Sequence, residues 1–159
     1  MAFQLSAMTS PITAICTAQG NGAISMIRVS GTEAYNIVGK IFRPLRENFD
    51  FVACAERNRF YNGYIIDADG ETLDRVVVLA YRAPNSYTGE DAVEISCHAS
   101  IYIQHQILKL LIANGATPAE PGEFTRRAYV NKKMDLSQAE AVADLIASKS
   151  KADHQIAIN

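Results

Sequence analysis

The chain has 159 residues, 48% of them hydrophobic, and a formal net charge of −2. That size supports one domain with a helical appendage, burying roughly 70% of the unfolded surface. The lack of a basic excess removes the usual electrostatic footprint of a nucleic-acid binder, so any RNA is expected to be held by another part of a larger machine. No apolar run approaches the roughly 18 residues of a membrane helix, and the expected setting is the cytoplasm, with no membrane association and no secretory signal. Cys16, Cys54 and Cys97 lack C-x-x-C or zinc-finger spacing, which argues against a disulfide framework or a structural zinc site.

In chain order, Thr13 to Ala18 and Ala23 to Val29 read as two β-branched strands joined in a hairpin by Gln19-Gly20-Asn21-Gly22. Ser30 to Glu33 has the S/T-x-x-E spacing of a capping box. Ala34, Ile37, Val38, Ile41 and Phe42 then fall on one stripe of a helix. Arg43 to Asn58 shows no clear period and reads as a connection holding one short strand.

Arg59 to Ile66 and Arg75 to Tyr81 flank the turn signal Asp67-Ala68-Asp69-Gly70-Glu71 and form a second hairpin, whose second strand reads as central and buried on both faces. Ala92 to Cys97 is a fifth strand. Ser100 can cap a helix from Ile101 to Ala113, closed by Asn114-Gly115. This order favours an α+β fold: a mixed, mostly antiparallel five-stranded sheet with helices on one face.

Pro118 to Gly122 marks a boundary, which divides the chain into 1–118 and 119–159. A short helix is expected over Glu123 to Val130. Asp135 and Gln138 can cap a final helix whose stripe includes Leu136, Ala139, Val142, Ala143, Ile146 and Ile156. Run to the end of the chain, it would have about 23 residues and a length of roughly 34 Å.

The P-loop pattern G-x-x-x-x-G-K-[ST], whose backbone amides cradle phosphate, is absent from this sequence, as is a dinucleotide fingerprint. His98, His105 and His154 lack ligand spacing. Cys97 and His98 are strand neighbours that face opposite ways, which disfavours a nucleophile pair. Arg28 lies in an otherwise apolar strand, where its permanent charge needs a partner. A structural pair with Glu94 would satisfy it, while Glu94, flanked by Val93 and Ile95, would also suit a solvated face. Tyr87-Thr88-Gly89-Glu90-Asp91 reads either as a solvated turn or as part of a site, and it lacks EF-hand spacing.

Three ordered segments carry a resemblance: Gly22 to Gly31, the loop and strand Pro84 to His98, and the charged stretch Pro121 to Leu136. Together they resemble the N-terminal region of the tRNA modification GTPase family called MnmE or TrmE, from about Pro11 to the last residue. The resemblance implies roughly the first third of a longer GTPase: a folate-binding domain, similar in fold to those of aminomethyltransferases, and the opening of a helical domain. It implies that Arg28, Glu94 and Lys133 contact 5-formyl-tetrahydrofolate or 5,10-methylene-tetrahydrofolate, while GTP, potassium and magnesium belong to a GTPase domain outside this sequence. It further implies a homodimer, a flavoprotein partner of the MnmG or GidA type, and tRNA wobble uridine as the target of the full complex.

The chemistry is consistent with such a site, since a carboxylate can accept two hydrogen bonds from an amino-pyrimidine edge and Arg or Lys can bind the carboxylates of a folate tail. Two departures stand out. The Cys-His pair continues as Ala99-Ser100 where relatives usually have two glycines, and the usual Pro-Gly after the first strand reads Ala18-Gln19-Gly20. Other readings are a structural dimerisation domain without a ligand and a free-standing one-carbon folate transferase; the latter lacks a histidine placed as its acid or base.

Overall fold

The computed structural model describes residues 9–20, 22–147 and 158. Seven strands form one sheet: β1 (Ile12–Ile15), β2 (Ile24–Ser30), β3 (Phe42–Pro44), β4 (Arg59–Ile66), β5 (Thr72–Tyr81), β6 (Ala92–His98) and β7 (Thr117–Pro118), in the order β3-β4-β5-β6-β2-β1-β7. Each neighbouring pair is antiparallel except β1 with β7, so the sheet is mixed.

The expected count of five strands is corrected to seven. β3 has three residues and β7 has two. Neither is long enough to show a period of two, and both exist because a longer neighbour offers an open edge: β4 pairs with β3, and β1 pairs with β7. β3 begins at Phe42, which the helical stripe had claimed. Both hairpins form as expected, but β5 is buried on one face only, with Val76, Val78 and Ala80 inside and alternate residues partly exposed.

The helices are α1 (Ala34–Gly39), α2 (Phe51–Cys54), α3 (Ile101–Ala113), α4 (Glu123–Val130) and α5 (Leu136–Ala147). Burial decides which sheet face is the core. Ile27, Val29, Val93, Ile95, Val76 and Val78 pack with Ile37 and Val38 of α1 and Ile107 and Leu111 of α3 in one cluster. Each fully buried aliphatic side chain there contributes about 1.5–3 kcal/mol. Phe51 of α2 extends the cluster by stacking on Tyr35 at 5.4 Å and meeting Phe42 edge-on at 5.2 Å.

Caps separate the helix starts that the sequence encodes from those it only suggests. Ser100 Oγ accepts from the Ile103 amide, and Asp135 and Gln138 form a reciprocal box, each side chain accepting from the other's backbone N–H at 2.7 and 2.8 Å. The expected box at Ser30 does not form. Ser30 ends β2 and shares a 2.7 Å hydrogen bond with Thr88, and α1 starts behind Glu33 without a side-chain cap. The final helix is described over twelve residues rather than about 23; residues 148–157 of that expectation, Ile156 included, lie outside the described residues.

Candidate functional site

Strand alternation places the candidate charges. In β2, Ile27 and Val29 enter the core, so Arg28 between them points to the opposite sheet face; in β6, Val93 and Ile95 do the same for Glu94. Antiparallel register then sets Arg28 directly across from Glu94. Their side chains, 19% and 16% exposed, form an ion pair with Nη2 and Oε2 3.6 Å apart. That spacing is beyond hydrogen-bond length, so the pair attracts without consuming the in-plane donor and acceptor edges that could address a third group.

A cavity of about 120 Å³ opens at this pair, lined by Arg28, Tyr81, Tyr87, Thr88, Ala92 and Glu94. The guanidinium of Arg28 sits over the rings of Tyr87, 5.1 Å away, and Phe124, 5.0 Å away. Such contacts hold a cation in place while leaving its N–H groups available at the edge. Tyr81 lines the same cavity; burial and the Glu94 charge push its phenol above its ordinary value, with Arg28 opposing.

The loop carrying Tyr87 and Thr88 is not a solvated turn. Thr88 and Glu90 are buried. On one side Thr88 Oγ1 bonds Ser30 of β2, and on the other its carbonyl accepts from Asn131 Nδ2 at 2.8 Å, while Tyr87 and Thr125 hydroxyls meet at 2.9 Å. Arg127 of α4, only 2% exposed, donates from Nη1 to both oxygens of Glu90 at 3.0 and 3.2 Å and from Nη2 to Glu123 at 3.4 Å. Burial pushes the Glu90 carboxyl above its usual value, Arg127 pulls it back, and Glu123 adds to the rise.

The structure thus brings Arg28 and Glu94 together. Lys133 is exposed and does not line their cavity; its Cγ lies against Gly89, one residue beyond Thr88. Sequence reasoning missed Arg127, Phe124 and Tyr81. The four-residue spacing of Glu123 and Arg127 was the one available signal, but a partner 37 residues upstream cannot be read from it. Among the described residues, no group of three or more His, Cys, Asp or Glu side chains could hold a metal ion, and no helix is long and apolar enough to cross a membrane.

These features define an α+β module with one sheet face closed by helices and an arginine–carboxylate pair on the other, roofed by an aromatic loop. The family model described as GTP-binding protein TrmE N-terminus matches residues 11–133, and the chain belongs to that family. Similar proteins include three each named tRNA modification GTPase MnmE. The one from Parabacteroides distasonis is 51% identical over 94% of this chain and 32% of its own length. That from Bacteroides fragilis is 53% identical over 93% and 31%, and that from Flavobacterium johnsoniae 50% identical over 92% and 31%. The chain therefore spans about a third of the length of these relatives.

Proposed function

We propose that this chain is the one-carbon tetrahydrofolate-binding and dimerising module of a cytoplasmic GTPase that modifies the wobble uridine of tRNA with an MnmG-type flavoprotein. The names of the relatives support the parent activity. GTP, potassium and magnesium are assigned to a separate GTPase domain, because this sequence has no phosphate loop.

One observation carries the ligand reading: a cross-strand arginine and glutamate share a half-buried cavity, yet are too far apart to satisfy one another's hydrogen bonds. Glu94 is assigned to the amino-pyrimidine edge of a pterin and Arg28 to its carbonyl side, with Lys133 meeting the anionic tail. A cavity of about 120 Å³ can hold only one end of such a ligand, since whole-ligand sites run to roughly 300–1,000 Å³. A second copy of the chain completes the enclosure in this reading.

Calorimetry with 5-formyl-tetrahydrofolate and 5,10-methylene-tetrahydrofolate, paired with light scattering at tens of micromolar protein, tests it. Saturable binding by a dimer is expected. A monomer that binds neither folate would refute it and leave Arg28 and Glu94 as a structural pair.

A further inference from the structure

We infer that Arg127 is a positioning residue for the Arg28–Glu94 site, coupling its ligand affinity to the docking of α4. This rests on the reduced-folate reading of that site. Two rings hold the Arg28 guanidinium, and they come from different places: Tyr87 from the loop after β5, and Phe124 from α4. The loop is clamped between β2 and the helical segment by Ser30–Thr88 on one side and Thr88–Asn131, Tyr87–Thr125 and Glu90–Arg127 on the other. Of these, Glu90–Arg127 alone is a two-oxygen ion pair buried at both ends.

Breaking one end leaves a buried charge without its partner, so it weighs on the loop far more than losing a neutral hydrogen bond. Without that clamp, Phe124 and Tyr87 no longer fix the guanidinium, and the ligand must itself order the arginine, the loop and the helix on binding. A site that must be ordered by its ligand binds more weakly. By reciprocity, ligand binding tightens α4, so occupancy on the sheet is felt in the segment that follows Gly122.

The test uses the full chain with 5-formyl-tetrahydrofolate. Calorimetry should show Arg127→Met weakening binding about tenfold or more, Arg127→Lys recovering part of that loss, and Phe124→Leu costing about threefold with an unchanged melting temperature. Hydrogen exchange gives an independent readout: ligand should slow exchange across 123–131 in the wild type and not in Arg127→Met.

Folded Arg127→Met binding as tightly as wild type, with the same ligand-induced protection of 123–131, would overturn the coupling and leave the folate reading standing. Should Arg127→Met fail to fold, a Phe124→Leu variant with wild-type affinity overturns it instead. A wild type that binds no reduced folate brings down both.

Discussion

Gly89 is packed against Asn131 so tightly that a Cβ on the glycine would stand 2.9 Å from Asn131 Cβ, and the backbone there has a φ of +80°. Both facts act against a side chain, and a comparison separates them. Gly70 has nearly the same φ, +82°, with nothing within 4 Å of its would-be Cβ. Gly70→Ala should therefore cost only the left-handed strain of about 1 kcal/mol, and Gly89→Ala that strain plus about 1–3 kcal/mol of overpacking. At about 2–4 °C per kcal/mol, thermal melts should place Gly89→Ala several degrees below Gly70→Ala. Equal melting temperatures would mean that the loop yields to the helical segment.

For the Arg28–Glu94 pair, the ligand-binding and structural readings make opposite forecasts. Losing one charge-assisted hydrogen bond to a ligand costs about 1.5–3 kcal/mol, so Arg28→Ala or Glu94→Ala should weaken folate binding about 10- to 100-fold. Lys133→Ala should cost less, because its ammonium is exposed. With the pair at 3.6 Å and partly solvated, melting temperatures of the Arg28→Ala and Glu94→Ala variants should fall only modestly. A large drop in stability without wild-type folate affinity would identify a purely structural pair.

Alkaline stability should hinge on two buried groups. Burial, with help from Asp74, pushes the Cys97 thiol from 9.0 up to about 11, and burial chiefly pushes the Tyr35 phenol from 10.0 up to about 12. Both folded values lie above the unfolded ones, so the neutral forms favour the folded state. Their contribution is complete below pH 9.0 for Cys97 and 10.0 for Tyr35, and is lost as pH rises to about 11 and about 12. Linkage makes each worth up to about 2–3 kcal/mol. Urea unfolding across this range should show stability falling, and Cys97→Ala should flatten the first part of the fall; an unchanged slope would show that the thiol does not titrate in the fold.

At the other end of the chain, the box between Asp135 and Gln138 stands at the start of a helix with no buried residue. With no core face to anchor it, α5 relies on its cap more than α3 does. Asp135→Ala should cost about 1 kcal/mol and be felt locally. Hydrogen exchange within 136–147 should quicken severalfold while exchange in β5 and β6 stays the same; a change spread evenly over the sheet would contradict this.

What was legible in the sequence follows the reach of the forces involved. Ser100, Asp135 and the Asp67–Glu71 turn act over a few residues: α3 and β4 span the residues the pattern gives them and α5 starts where expected, although β5 begins at Thr72 rather than Arg75. Arg28 and Glu94 stand out because alternation alone turns them away from apolar neighbours. β7 was invisible and β3 was seen only as one short strand somewhere within Arg43 to Asn58, since a strand of two or three residues is made by the edge it joins. The burial of Glu90 and Arg127 was hidden for a like reason: each looks like a surface charge until the other is brought to it across the fold. Ser30 misled because a hydroxyl before a helix can cap it or bond elsewhere, and Thr88 is the nearer claimant.

The alignment of Arg28 with Glu94 also bears on how the chain avoids assembling wrongly. β2 and β6 match over seven residue pairs, and their neighbours alternate in the same phase. A slip of β2 by a single position would send Arg28 into the layer occupied by Ile27 and Val29 and turn those two side chains out to water. Few errors of pairing cost more, because a guanidinium cannot shed its charge to escape an oily interior. An uncharged substitute at position 28 would remove that penalty, leaving the one-step misalignment opposed only by the exposure of Ile27 and Val29.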